Sequence, residues 1–459
     1  MNQSLLDVET QLSQPALVPG TNPQVVYALV RIKPGGGAGP ERLPLDIRFV
    51  LDRSGSMSAA AGKGTRRSRI HLVREATCAA IQQMEPGDQL AVYSFDDHNQ
   101  TDVTPRVLRS TNDVAESVRR VKRITCGGGT HLSESLKLAV RVNSNDPACL
   151  KRVIVFTDGE VNIPSQNSEE RGCKKLAAEA ANRGVPLLLL GTGVDYHEGF
   201  LEALAAASGG RMEHVHDAQR VLQVFAEEIR TMADVAVTNL EVSVSCASGA
   251  RLAGVSRVVP DIHPYQASHP NYFATFLGDL DRARGQALLL TLEIPAASGA
   301  EVDLAALEFT FDVPTRGMRG VKARAAVRLP VDASAAMARN QDVIATVRVD
   351  GATRLQTLAL QQAAGGDLAT AAGNLDRVAT LYGSAGLQDL AAQTRVLTNQ
   401  IRTGAASQDV LETRRTLTTA ARKAVTTRML GTKPGGGAGG GSVADPHRPS
   451  EGDDLAKGA

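Results

Sequence analysis

Residues 45–57 read Leu45-Asp46-Ile47-Arg48-Phe49-Val50-Leu51-Asp52-Arg53-Ser54-Gly55-Ser56-Met57. The first seven are mostly apolar or β-forming and predict a strand. That strand runs directly into a loop carrying an aspartate and two serines at alternate positions. Carboxylate and hydroxyl oxygens are hard donors, well matched to Mg2+ and poorly matched to zinc or copper. In a doubly wound sheet, ligands gather beyond the carboxyl ends of strands at the switch point. A strand that ends in this loop therefore predicts a fold and a place for its site together.

Two further segments belong at the same edge. Val153-Ile154-Val155-Phe156-Thr157-Asp158-Gly159 reads as a second buried strand ending in a carboxylate, with a glycine for the turn. Cys126-Gly127-Gly128-Gly129-Thr130-His131-Leu132 offers three glycines, which permit close backbone approach, and a hydroxyl at Thr130 just before a predicted helix. Apolar runs near 47–51, 89–95, 152–157 and 185–191 alternate with helical stretches near 66–84, 111–123, 131–142, 168–183, 197–207 and 217–232. That alternation predicts an α/β domain around a largely parallel sheet.

With these residues in view, the segment 45–234 resembles a von Willebrand factor A (VWA) domain. Its metal-ion-dependent adhesion site has the form DxSxS, then a threonine in a Gly-rich loop, then an aspartate after a later strand. Asp52, Ser54, Ser56, Thr130 and Asp158 match these positions in order. The resemblance implies a Rossmann-like fold and a site for Mg2+, with Mn2+ or Ca2+ as alternatives. It also implies that the hydroxyls bind the ion while the aspartates act directly or through water. Neutral hydroxyls leave such an ion electrophilic, so an Asp or Glu of a protein partner can take the open position. The implied role is that of a binding protein of bacterial or intracellular type, not an enzyme. Relatives of this kind work beside kinases, phosphatases or MoxR-type ATPases in signalling, stress or defence systems.

The remaining chain divides by pattern. Residues 1–44 contain one strand, 24–33, which needs partners because a lone strand is unstable. Residues 235–330 hold successive strand-like runs (Thr238–Ser245, Tyr272–Leu277, Ala287–Glu293, Leu307–Val313 and Val321–Leu329) and predict a small β-sandwich. Pairing of 24–33 with it would make the α/β domain an insertion. Residues 331–430 predict three or four antiparallel helices broken near Gly365-Gly366, Gly383 to Gly386 and Gly404. The Gly-rich tail, 431–459, has the composition of a disordered segment.

A formal net charge of +1 with 22% charged residues gives no reason to expect nucleic acid or an anionic membrane as partner. The five cysteines (Cys78, Cys126, Cys149, Cys173, Cys246) are irregularly spaced with no CxxC, which argues against a disulfide framework and a zinc site. The first residues lack the pattern of a signal peptide, and a cytoplasmic protein is the expectation. There is neither a GxSxG elbow nor a P-loop. Asp96, Asp97 and His98 are expected in a solvated loop, His131 at a helix start, and Glu160 and Asn162 on the rim. His214 and His216 read as structural, Cys126 as a small buried hydrophobe, and Arg66-Arg67-Ser68-Arg69 as a solvated start of the first helix. The competing reading is a self-assembling protein, a homo-oligomer. Its metal would take a carboxylate from a neighbouring copy or from the tail segment Glu451-Gly452-Asp453-Asp454.

Overall fold

The computed structural model describes residues 4–20, 22–38, 42–61, 67–141, 149–158, 166–192, 198–215, 218–247, 249–267, 269–334, 338–403 and 408–430. Glu160, Asn162, Arg66, His216 and the tail 431–459 lie outside these residues.

Two strands, β1 (Leu6–Leu12) and β2 (Gln24–Pro34), precede an α/β unit. The strands of that unit are β3 (Leu45–Asp52), β4 (Gln89–Phe95), β5 (Asn99–Val107), β6 (Leu150–Thr157), β7 (Leu187–Thr192) and β8 (Arg211–Val215). They form one sheet in the order β5-β4-β3-β6-β7-β8, parallel except for β5. Every residue of β3 is buried. Leu45, Ile47, Phe49 and Leu51 face helices α1 (Arg69–Gln82), α2 (Thr111–Val121) and α6 (Ala218–Ala233). Val50, on the opposite face, packs with α3 (Leu132–Arg141), α4 (Gln166–Asn182) and α5 (Glu198–Ala207). Burial on both faces is what favours the nearly continuous apolar runs of these strands. Asp46 and Arg48 interrupt the run in β3, and they are tolerated because they pair with each other at 2.6 Å.

β5 has no counterpart in the predicted strands. It is an antiparallel edge strand of sequence NQTDVTPRV, largely exposed, so it lacks the apolar run that marks the others. The chain leaves β3 toward β4 on one side and later returns to β6 on the other. The switch point of the sheet therefore lies between β3 and β6, with Leu51 beside Phe156.

Beyond α6, the chain forms β9 (Val235–Cys246), β10 (Arg251–Val259), β11 (His263–Tyr265), β12 (Tyr272–Asp281), β13 (Gln286–Ile294), β14 (Glu301–Val313) and β15 (Met318–Pro330). One sheet runs β1-β2-β13-β10-β11 and a second runs β12-β9-β14-β15. β2 pairs antiparallel with β13, Leu29 opposite Leu289. The α/β unit is thus entered from one sheet and left into the other. A single buried apolar cluster draws on both, with Val30 and Leu290 from the first and Val242, Leu307 and Phe309 from the second. The opposite face of the first sheet, with Leu29, Val258 and Leu289, is covered by helical side chains such as Val343, Leu375 and Leu417. These belong to α7 (Gln341–Ala364), α8 (Leu368–Ser384) and α10 (Gln408–Leu430), which with α9 (Gln388–Arg402) make up the C-terminal helical region. Gly366 and Gly386, at φ +89° and +84°, make the turns between α7, α8 and α9, where a side chain would be strained.

Buried charge joins the three bodies. Glu228 of α6 pairs with Arg152 of β6 at 2.8 Å and with Arg211 of β8 at 2.7 Å. Arg152 reaches on to Asp279 of β12 at 3.1 Å. Lys423 of α10 meets Glu213 of β8 at 2.9 Å. Burial alone would raise both glutamates, but the surrounding cations win. Arg152 and Arg211 hold Glu228 at about 2, and Lys423, Arg211 and Arg220 hold Glu213 at about 2.

Candidate metal centre

The site lies at the carboxyl edge of β3 and β6, on the switch point. Asp52 ends β3 and is fully buried. Its Oδ1 accepts the Ser54 backbone N–H at 2.8 Å, which turns the loop back on itself. Its Oδ2 accepts the Thr157 hydroxyl at 2.6 Å, which ties β3 to β6. Ser54 is buried, and its Oγ lies 3.0 Å from that of the half-buried Ser56.

The glycine loop is stitched directly onto this turn. Gly127 donates to the Arg53 carbonyl at 2.7 Å, and Gly55 donates to the Gly128 carbonyl at 2.9 Å. Thr130, buried at 4% exposure, follows two residues later. Asp158 continues from β6, is buried, and places Oδ2 2.9 Å from Arg69 Nη1. Its Oδ1 is buried without a hydrogen-bond partner among the described residues. The structure therefore gathers the turn 52–56, the loop before Thr130, and Asp158 at one edge.

Two carboxylates near one another and out of water are costly unless a cation joins them. Burial, with the Asp158 charge as the next cause, pushes Asp52 up to about 7 despite the hydrogen bonds from Ser54 and Thr157. The donor set is oxygen only, one carboxylate oxygen lacks a partner, and the charge is under-compensated. These residues fit a hard divalent cation.

Sequence reasoning missed two parts of the site. The first is Arg69, expected on a solvated helix face. It opens α1 and pairs with a carboxylate 89 residues away, for which local sequence carries no signal. Its neighbour Arg67 does lie exposed, paired with Glu75. The second is Asp96, which is corrected from solvated loop to buried brace at 6% exposure. Arg53 Nη2 sits 2.9 Å from its Oδ2, and the Gly128 and His98 amides donate to the same carboxylate. Asp97 and His98 are exposed. His131 bonds through its backbone N–H to the Asp96 carbonyl. His214 is buried on β8, three strands from β3. Cys126 is half-buried against the α1 side of the core, and burial pushes its thiol up.

Comparison with known proteins agrees with this fold. Residues 47–160 match the family described as von Willebrand factor type A domain, a span that includes all five site positions. An uncharacterised protein of Synechocystis sp. is 26% identical over 281 residues, covering 60% of this chain and 63% of that protein. Human inter-alpha-trypsin inhibitor heavy chain H4 is 28% identical over 214 residues, 44% of this chain and 22% of that protein. The chain thus spans less than two thirds of the length of these curated relatives. Among solved structures, a von Willebrand factor type A protein from Catenulispora acidiphila aligns over 92% of this chain and 98% of its own, with TM-score 0.72 and 18% identity. The ArnB paralog VWA2 from Sulfolobus acidocaldarius aligns over 92% and 99%, with TM-score 0.57 and 15% identity. At these identities the likeness is one of fold. The chain contains a VWA domain, a protein-interaction module that is often metal-dependent.

Proposed function

We propose that the VWA domain holds a divalent cation, Mg2+ first with Mn2+ or Ca2+ as alternatives, at Asp52, Ser54, Ser56, Thr130 and Asp158. The protein uses it to bind an acidic side chain of a protein partner. The observation that carries this reading is the buried Asp158 Oδ1, left without a partner beside a second buried carboxylate in an all-oxygen site. When bound, the cation supplies a positively charged coordination position for a carboxylate. The chain's own residues do the rest: Arg53 and Asp96 brace the serine turn against the glycine loop, and Thr157 fixes the Asp52 carboxylate.

We read the protein as a binding protein, not an enzyme. Both Asp52 oxygens already accept hydrogen bonds and the residue is fully buried, so its carboxylate has no route to a substrate as a general base. We place it in the cytosol, since five cysteines with no disulfide between them suit a reducing compartment. No helix among the described residues is long and apolar enough to cross a membrane. The two antiparallel sheets are read as a β-sandwich presenting the site's rim outward. The protein partner is expected within a signalling, stress or defence assembly, with a kinase, phosphatase or MoxR-type ATPase as candidates.

Thermal unfolding with and without Mg2+ or Mn2+ tests the site, because a ligand of the native state raises Tm by mass action. Wild type should gain stability, and Asp52→Ala and Thr130→Ala should not. Equal responses in all three would refute the assignment. Affinity capture from the native host with and without EDTA, with Asp52→Ala as control, then tests partner binding.

A further inference from the structure

A cleft of about 340 Å3 opens where the α/β unit, the first antiparallel sheet and the helical region meet. Its α/β wall is α5 and the start of β8, at the amino-terminal edge of the parallel sheet, opposite the edge that carries Asp52. The volume falls in the range of small-molecule sites. Four arginines and two carboxylates line it.

Three of the arginines, Arg257 of β10, Arg354 of α7 and Arg422 of α10, each come from a different element and are each held through one terminal nitrogen. Arg257 Nη2 pairs with Asp261, and Arg422 Nη2 pairs with Glu202. Arg354 Nη2 pairs with Asp350 at 2.9 Å and donates to the Ser256 hydroxyl at 2.7 Å. Among the described residues, these contacts orient the guanidiniums without using the rest of each fork. Arg257 is only 7% exposed, yet its Nε is buried with no acceptor among the described residues. A buried donor left unpaired is costly. The fourth arginine, Arg211, is already engaged by Glu213 and Glu228. Among the described residues, Arg257 Nε is a donor that an oxygen of a bound molecule would satisfy.

From this juxtaposition we infer that the cleft binds a small organic oxyanion of charge −2, a phosphomonoester or a polycarboxylate, gripped by Arg257, Arg354 and Arg422. Planar guanidinium forks match the oxygen spacing of phosphate and carboxylate groups. Because the walls belong to three bodies, the ligand would tie α5 to α7 and α10.

Isothermal titration in EDTA, with AMP and succinate as separate probes, tests the inference and distinguishes phosphate from carboxylate recognition. Saturable binding of at least one probe is expected. Arg354→Gln and Arg422→Gln should each weaken it by about tenfold, the effect of losing a charge-assisted hydrogen bond. Arg328→Gln, on the exposed β15, should bind as wild type. Absence of saturable binding of both probes to wild type would overturn the inference. So would affinities in Arg354→Gln and Arg422→Gln equal to wild type.

Discussion

Arg69 Nη1 lies 2.9 Å from Asp158 Oδ2, joining the first turn of α1 to the end of β6. Among the described residues, this guanidinium is the cation that pairs with Asp158, while Asp52 has none. An arginine here stabilises the protein without metal, and its charge also opposes a second cation nearby.

Replacing Arg69 by Met should therefore act in opposite directions on two readouts. Without metal, the variant should lose about 3 kcal/mol, since breaking a buried pair leaves a charge uncompensated. Its affinity for Mn2+ should rise by about tenfold, a change of roughly 1.4 kcal/mol. Calorimetric titration with Mn2+ decides the matter: weaker binding in Arg69→Met would show that Arg69 orients Asp158 for the ion instead of competing with it.

The glycine loop yields a second prediction. A Cβ on Gly127 would stand 1.9 Å from Asp96 Oδ2 and 3.3 Å from Arg53 Nη1. Gly127→Ala should force the Arg53–Asp96 brace apart and cost about 1–3 kcal/mol, as overpacking does. Mn2+ affinity should fall with it, because the serine turn is hung on that brace. Adding Asp96→Ser to Gly127→Ala should relieve part of the loss. Strict additivity in thermal unfolding would count against the proposed clash.

Much of this architecture is legible from sequence because burial on both faces writes itself into composition. The strands β3, β6 and β7 read as apolar runs, and the turn 52–56 carries its donors in one contiguous stretch. What stays hidden depends on pairing between distant residues. β5 has polar, exposed residues and is a strand only because β4 supplies hydrogen bonds. β1 reads LDVETQL, with three polar residues in a row at 9–11, and its place is set by β2. Arg69 and Asp96 are ordinary surface residue types whose burial follows from the fold. The glycine breaks predict three or four helices, and four are described, but their cover over Leu29, Val258 and Leu289 does not follow from them.

The charge cluster joining the three bodies gives the pH prediction. Glu228 and Glu213 are held at about 2, below their ordinary value of 4.5. A carboxyl depressed in the folded state stabilises the protein above its unfolded value, and that stability disappears as pH falls through the folded value. Acid unfolding should therefore steepen between about pH 4.5 and pH 2. Glu228→Gln removes the partner shared by Arg152 and Arg211 and should cost about 3–5 kcal/mol at neutral pH. The loss relative to wild type should shrink as pH falls through that window, because the unfolded wild-type chain then binds a proton that the native Glu228 carboxylate does not. Denaturant melts at pH 7 and pH 3 measure both stabilities. A difference between the two proteins that stays constant with pH would mean that Glu228 contributes by packing and not by charge.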